Sequence, residues 1–221
     1  MKHSFATAAF AVAMALSSQA NATPLASGAS CTIGGTNTCG ATANFTGNTF
    51  GTLVTSATRT VTGSNTLGTT FTGTLYAAVY QELNGFLTFY NQYLNDGPNE
   101  IHRITTTNFM GYTSDVGYRT DNFDGGGIFL ASGMTPIGMD RNAGDIGYNF
   151  AGIPGGSRSN ILVVKTNAIS WTRGNTSIIN GSTADVSTFA PVPEPGFYGL
   201  LSAGLAGLVL TLKRRNARKV S

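Results

Sequence analysis

Two aromatic-rich runs joined by Asn84-Gly85 constrain the fold of this chain more than any other feature. The runs cover residues 74–83 and 86–94, and both are rich in the aromatic and apolar residues that strands favour. Asn-Gly is the strongest short signal for a β-hairpin, because both residues tolerate a positive φ. The sequence therefore predicts an antiparallel hairpin with a two-residue loop.

A two-residue loop would place four aromatic side chains on one face of this hairpin, since Tyr80 would pair with Phe89 and Tyr76 with Tyr93. The other face would also be apolar, with the pairs Val79–Tyr90 and Leu75–Leu94. A strand pair with two apolar faces is covered on both sides, or covers a core with one face and offers the other as a platform for sugar rings. Both interpretations stay open at this point.

The rest of the chain also indicates an all-β fold. Further strands are predicted at residues 101–107, 116–120, 128–131, 146–150, 160–166, 169–172 and 185–189. Gly-, Pro-, Asn- and Asp-rich turns separate them at 95–98, 124–127, 154–156 and 180–182. The Thr-rich segment 23–74 is expected to be loosely held or strand-like. We predict an antiparallel β-sandwich, Greek-key or jelly-roll-like, of about eight to ten strands.

The charge distribution argues against a nucleic-acid partner. Charged residues make up only 10% of the chain, and the formal net charge is +3. Five of the basic residues stand in the last nine positions, whereas residues 23–191 carry seven basic and nine acidic side chains. A protein body that binds nucleic acid needs a cationic face of its own. Because this body is slightly acidic, the sequence does not predict binding of nucleic acid.

The N-terminal residues have the pattern of a secretory signal peptide. A charge-free, Ala-rich stretch covers residues 5–16, and Ala20 and Ala22 are the small residues that a signal peptidase reads. Cleavage after Ala22 is expected. Residues 1–22 are therefore predicted to direct export, and residues 23–191 to form the exported body.

The C-terminal residues 192–221 combine three features. Pro193-Glu194-Pro195 predicts an extended, accessible strip, because proline removes amide donors and disfavours helix in the preceding residue. Residues 196–212 are charge-free and would span about 25 Å as a single helix, which is marginal for crossing a bilayer. The basic residues that follow favour a cytoplasmic C-terminus and are Lys213, Arg214 and Arg215.

This order of features resembles the PEP-CTERM sorting signal of Gram-negative bacteria. The resemblance implies export across the inner membrane as a single-pass precursor, recognition by an exosortase, and a mature form at the cell surface or outside the cell. It also implies an association with exopolysaccharide or biofilm. The chain departs from the pattern in one respect, since it continues from Asn216 to Ser221 beyond the basic cluster.

Cys31 and Cys39 are the only cysteines of the chain. An isolated pair in an exported protein is most simply a disulfide, which would contribute about 2 to 3 kcal/mol through closure of a short loop. Two thiolates alone do not complete a zinc site, and the body contains a single histidine, His102. The sequence therefore predicts a stapled loop.

Catalytic and metal-binding signals are sparse. His102 has no accompanying nucleophile motif, and the carboxylates of the body could form a glycosidase pair only if the fold brought two of them into one cleft. Asp140, Asn142 and Asp145 resemble part of a calcium-binding turn, although capping of a turn by Asp and Asn side chains explains them without a metal and is the favoured interpretation. No other cofactor is expected.

The sequence thus favours an exported, exosortase-processed surface or matrix protein without catalysis. Its expected partners are signal peptidase and exosortase during export, and exopolysaccharide afterwards. The alternative is a carbohydrate-binding β-sandwich in which Tyr76, Tyr80, Phe89 and Tyr93 stack on sugars. A glycosidase or lyase is a weaker alternative.

Overall fold

The computed structural model describes residues 23–34, 39, 44–45, 51–64, 68, 70–121, 125–181, 183–192 and 205. The predicted signal peptide, with Ala20 and Ala22, lies outside the described residues. So do Pro193, Glu194, Pro195 and the basic residues Lys213, Arg214 and Arg215 of the predicted sorting signal. None of the described residues belongs to a helix that is long and apolar enough to cross a membrane.

The described residues form twelve strands in two six-stranded antiparallel sheets, which confirms the prediction of an all-β antiparallel fold. The first sheet has the order β1-β7-β10-β5-β4-β3, and the second has the order β12-β11-β6-β9-β8-β2. The strands are β1 (Thr23–Pro24), β2 (Ser30–Thr32), β3 (Thr52–Ser64), β4 (Thr70–Gln81), β5 (Leu87–Asn95), β6 (Ile101–Thr106), β7 (Ser114–Arg119), β8 (Gly138–Asn142), β9 (Asp145–Ile153), β10 (Ile161–Thr166), β11 (Trp171–Ile179) and β12 (Thr183–Pro191).

One hydrophobic cluster, the shared core, takes side chains from both sheets, so that the sheets face each other in a sandwich-like arrangement. Alternation along the strands directs these side chains inward. Its largest fully buried members from the first sheet are Phe71, Leu75, Leu87, Phe89 and Tyr93, and those from the second sheet are Ile101, Ile104 and Tyr148.

A second cluster, the outer cluster, covers the opposite face of the first sheet. It joins Tyr80 and Tyr90 to Phe45 and Phe129, which lie on connecting segments. Buried Gln92 holds the covering segment in place, because its Nε2 donates to the carbonyls of Leu130, Ala131 and Ser159 and its Oε1 accepts from Leu130 N. The central strands β4, β5 and β10 are therefore buried on both faces.

The central hairpin forms where the sequence predicts it, but the predicted register is wrong by one residue. Glu82 N donates to Phe86 O at 2.8 Å and Gly85 N to Glu82 O at 2.9 Å, so the loop has three residues instead of two. Gly85 takes the left-handed position with φ 84°, as expected for a three-residue loop. The extra residue pairs Val79 with Phe89, and Leu75 with Tyr93.

The disulfide prediction is confirmed. Cys31 in β2 is bonded to Cys39, and the two Cα atoms are 4.9 Å apart. Both cysteines are buried against the shared core. The disulfide thus ties Cys39 to the short edge strand β2 of the second sheet.

The Thr-rich segment contains β3, a 13-residue edge strand with mostly exposed side chains, in agreement with the strand-like alternative. Two local predictions differ from the structure. Residues 128–131 form a loop of the outer cluster instead of a strand. The strand predicted at 169–172 begins at Trp171 and continues to Ile179. Short apolar runs indicate burial, but not the geometry of the backbone that is buried.

The loops divide between two ends of the body. One end, called the exit end, consists of the loops 82–86, 107–113, 143–144 and 167–170 together with the start of β3. Hydrogen bonds join these loops: Leu87 N donates to Ala168 O, Thr113 N to Asn167 Oδ1, and Phe109 N to Gly144 O. The chain also leaves the body here, since Val192 N donates to Ser170 O at 3.1 Å. The opposite or far end holds the loops 95–100, 132–137 and 154–160 and the turn at residues 180–181.

Candidate functional site

The four aromatic side chains proposed as a sugar platform do not share a face. The one-residue change of register sends Phe89 and Tyr93 into the shared core, while Tyr80 belongs to the outer cluster with Tyr76 packed against it. Tyr80, Phe89 and Tyr93 are 4%, 1% and 0% exposed. These residues therefore form core, and the predicted platform is corrected accordingly.

Asp140 lies on strand β8 in a network with Arg103. Arg103 Nη1 donates to Asp140 Oδ2 at 2.6 Å and Nη2 donates to Oδ1 at 2.7 Å, while Asn149 Nδ2 also donates to Oδ2 at 2.9 Å. Gly147 leaves room for the guanidinium, which a side chain at that position would meet. Hydrogen bonds from Arg103 hold the pKa of Asp140 below its ordinary value.

The other members of the predicted calcium turn also lie on strands. Asn142 ends β8 and pairs with Asp145 at the start of β9, where both are exposed. Because both Asp140 oxygens accept hydrogen bonds from Arg103, they do not converge with Asn142 and Asp145 on a cation. Within the part of the chain that the structure describes, no group of three His, Cys, Asp or Glu side chains could hold a metal ion.

His102 lies on β6 with a solvent-exposed side chain. Its Nε2 is 3.9 Å from Glu100 Oε2, and both side chains are more than half exposed. The 3.9 Å between the two groups is longer than a hydrogen bond, so His102 and Glu100 form at most a loose pair at the surface.

A groove with binding chemistry runs between β3, the edge of the first sheet, and the β11–β12 pair at the edge of the second sheet. This edge groove encloses about 210 Å³. Arg173 and Phe189 are cross-strand partners, and Trp171 is two residues from Arg173, so the three side chains lie on one face of β11–β12. The lining residues used below are Thr55, Arg59, Trp171, Arg173, Ser187 and Phe189.

The aromatic part of the edge groove consists of Trp171 and Phe189. Their rings meet edge to face, with centroids 5.1 Å apart and planes at 85°. Phe189 packs against the shared core, and Trp171, the only tryptophan of the chain, keeps 36% of its surface exposed. Phe189 thus fixes Trp171 in an orientation that leaves part of the indole available to a ligand.

The charged part of the edge groove consists of Arg59 and Arg173, which are both exposed. Among the described residues, neither guanidinium has a carboxylate within salt-bridge distance, in contrast to Arg103 and Arg119. Unpaired arginines bind carboxylates, sulfates and phosphates through charge-assisted, often bidentate hydrogen bonds. The groove therefore favours an anionic ligand.

The chemistry of the lining fits binding better than catalysis. Hydroxyl groups of Thr55 and Ser187 join the two guanidiniums and the two aromatic rings, and the described residues of the lining include no carboxylate, imidazole or thiol. The volume is below the roughly 300–1,000 Å³ of typical small-molecule sites. A groove of this size and openness suits one residue of a longer polymer.

The edge groove is not predicted from the sequence, because its residues are far apart in the chain. The one usable signal for the site was the single tryptophan. Arg173 follows Trp171 by two residues, and this spacing on a strand places both side chains on one face. Arg59 lies in the Thr-rich segment more than a hundred residues away, and no pattern links it to β11.

Comparison of the chain with protein-family models, with curated proteins and with solved structures finds no match.

Proposed function

We propose that this chain is an exported, exosortase-processed, non-catalytic protein of the bacterial cell surface or extracellular matrix. The proposal depends on one observation, the order of Pro193-Glu194-Pro195, a charge-free stretch and a basic cluster. The Cys31–Cys39 disulfide supports it, because such bonds persist in oxidising compartments outside the cytoplasm. The N-terminal pattern ending at Ala22 supports export as well.

The finer fold that we propose is a Greek-key β-sandwich of the jelly-roll kind. The ribbon β5–β6 lies along the ribbon β9–β10, since β5 pairs with β10 in one sheet and β6 with β9 in the other. The ribbon β7–β8 pairs with the opposite side of β9–β10 in the same manner. Successive strands that alternate between two sheets in this way are typical of jelly rolls.

Replacement of Pro193, Glu194 and Pro195 by alanine tests the sorting proposal. In a bacterium that has an exosortase, we expect the wild-type product to begin at Thr23 and to lack the basic tail, as measured by intact mass. The triple variant should keep its tail and remain in the membrane fraction. The control is Pro98→Ala/Glu100→Ala, which removes a proline and an acid from the far end. Normal release of the triple variant would contradict the proposal.

A second candidate function is binding of an acidic polysaccharide in the edge groove. Trp171 offers an aromatic surface for a sugar ring, Arg59 and Arg173 offer cations for its carboxylate, and Thr55 and Ser187 offer hydroxyls for its hydroxyl groups. Because the groove is open and small, it would take one residue of the polymer at a time. Affinity would then come from many weak contacts along the polymer.

Polygalacturonate and neutral dextran distinguish this function from non-specific adhesion. The wild-type protein should bind polygalacturonate with an affinity that falls as salt rises, and dextran much more weakly. We expect Arg59→Gln/Arg173→Gln to lose most of the affinity for polygalacturonate, and Trp171→Ala to weaken it at all salt concentrations. Arg158→Gln, which removes an arginine charge at the far end, is the control. Unchanged binding by the double arginine variant would exclude the groove.

A further inference from the structure

We infer that the exit end of the body lies against the lipid bilayer in the membrane-anchored form, with its apolar loop tips in the headgroup region. The inference rests on the proposed function, because residues 196–212 must be in the membrane for it to apply. It adds an orientation and a contact surface, which the sorting proposal does not contain.

The exposed apolar side chains of the body are concentrated at this end. Leu83, at the tip of the β4–β5 loop, is fully exposed, and Ile169 and Met110 are 65% and 67% exposed on two neighbouring loops. Away from the exit end, only Met134 and Ile137 are large, apolar and exposed among the described body residues. The other such residues at the exit end are Leu53, Val54, Phe86 and Trp171. An apolar end of this kind marks an interaction surface.

Apart from Glu82, which pairs with Lys165 at 3.5 Å, the loops at the exit end carry no charge. Residues 83–86, 107–113, 143–144 and 167–170 contain no Asp, Glu, Lys or Arg. The far-end loops differ, since Asp96, Glu100 and Arg158 lie there. The exposed charges directly behind the exit-end loops include Arg173, near the start of β11, and Asp145, at the start of β9. Apolar tips with the cation of Arg173 behind them match the order of acyl chains and anionic headgroups at a membrane surface.

The length of the connection identifies the bilayer as the occupant of this surface. The chain leaves the exit end at Val192, and the charge-free stretch begins at Gly196. Four peptide steps reach at most about 14 Å at roughly 3.3–3.6 Å per residue. If residues 196–212 span the membrane, this short connection holds the exit end within reach of the headgroups.

Buried hydrogen bonds hold these loops in position for such a contact. Arg141, which is 7% exposed, donates from Nη1 to Leu25 O and from Nη2 to the carbonyls of Phe109 and Tyr112, and its Nε donates to Ala143 O. The guanidinium thereby fixes the loop that carries Met110. A loop that is already ordered loses little conformational entropy when it meets a surface.

This geometry also explains how one cleavage could release the body. A few apolar side chains at a headgroup surface give reversible binding, unlike a membrane-spanning segment. Cleavage at the Pro193-Glu194-Pro195 strip would remove the anchor and leave only the contact of the exit end. The body would then dissociate or exchange between membrane and matrix.

The single tryptophan provides the test, because Trp171 lies at the exit end. The full chain is reconstituted at about one chain per vesicle in phosphatidylcholine and phosphatidylglycerol, and quenching of Trp171 by headgroup spin-labelled lipid is measured. We expect quenching in the wild type, and loss of most of it in Leu83→Asp/Ile169→Asp. The matched control, Met134→Asp/Ile137→Asp, places the same two charges away from the exit end and should be quenched like the wild type.

Flotation of the vesicles separates this inference from the proposed function. A chain that fails to float with the vesicles after a high-salt wash lacks the membrane span, and the sorting proposal fails. A chain that floats but shows no quenching of Trp171 keeps the span and overturns the orientation inferred here. Protection of Trp171 from a water-soluble quencher that arises only at many chains per vesicle would show that a second copy of the chain covers the exit end. That result would also overturn the inferred orientation.

Discussion

Phe89 lies in the shared core and contacts Phe109 edge to face, with 5.3 Å between ring centroids. The neighbouring aromatic residue Tyr90 points to the outer cluster, where burial raises the pKa of its hydroxyl far above the ordinary value. Adjacent residues of one strand thus serve two different cores. At this scale, side-chain chemistry alone does not distinguish core from ligand platform.

The Phe89→Ala substitution should lower the free energy of unfolding by about 3 to 5 kcal/mol, because a fully buried ring leaves a cavity. Chemical denaturation measures the change. The control is Tyr76→Ala, at a half-buried position beside the outer cluster, which should cost less. A Phe89→Ala protein with unaltered thermal stability that no longer binds polysaccharide would restore the platform interpretation.

Asp140 is expected to make stability depend on pH in the acid range. Its pKa is lowered in the folded state by Arg103, so its contribution is present above the ordinary pKa of about 3.9 and is lost as pH falls through the folded pKa. Asp140→Asn should therefore lower the unfolding free energy by about 1 to 3 kcal/mol at neutral pH. The difference from wild type should shrink below about pH 4.

Urea denaturation at several pH values measures this difference. Asp145→Asn removes one negative charge from the same hairpin and is the control, since Asp145 is exposed. A difference between wild type and Asp140→Asn that stays constant down to pH 2 would show that the Arg103 interaction does not depend on the charge of Asp140.

The element that decides the arrangement of aromatic residues is the β4–β5 loop. Its third residue, Gly85, has φ 84°, and the hydrogen bond from Gly85 N to Glu82 O closes a turn around Leu83 and Asn84. Had the loop contained two residues, every side chain of β5 would face the other side of the sheet relative to β4. One loop residue therefore determines which aromatic rings enter the shared core.

Gly85→Ala should lower the free energy of unfolding by about 1 to 2 kcal/mol, because a side chain disfavours the left-handed conformation. Space is not the cause, since a Cβ at this position would meet nothing within 4 Å. Thermal and chemical unfolding measure the effect. Leu83→Ala, in the same loop at a fully exposed position, is the control and should be nearly neutral. An equal loss of stability in both variants would contradict the view that the left-handed conformation of residue 85 requires glycine.

The molecule as a whole has central strands covered on both faces and a more exposed periphery. β5 and β10 lie in the middle of the first sheet, with the shared core on one side and the outer cluster on the other. β3 lies at the edge of the described sheet, and most of its side chains are exposed. The edge groove and the exit end therefore belong to the less protected parts of the fold.

Amide hydrogen exchange should follow this division. We expect the amides of β5 and β10 to exchange only through global unfolding, and those of β3 to exchange faster through local opening. Mass spectrometry of peptides from residues 52–64 and 87–95 gives the comparison, with residues 161–166 as a second central segment. Equal protection in β3 and β5 would mean that the whole sheet opens as one unit.

The sequence by itself determined those properties that local patterns encode. Strand-forming residues and turn residues predicted the all-β class and most strand positions, and Asn84-Gly85 predicted the place of the central hairpin. An isolated cysteine pair predicted the Cys31–Cys39 disulfide, which the structure contains. These signals depend on residues within about ten positions of each other. The features that they indicate can therefore be predicted from the sequence alone.

The tertiary structure decided the properties that depend on distant residues. The three-residue loop divided Tyr76, Tyr80, Phe89 and Tyr93 between two faces, since register depends on the turn and on the packing of both faces. The edge groove joins Arg59 to Trp171, and the exit end joins Leu83 to Ile169, because the sheet order brings β3, β5, β10 and β11 to common edges and ends. No short-range pattern shows which strands become neighbours. Strand pairing depends on the apolar surface that the whole fold buries, and not on the two paired segments alone.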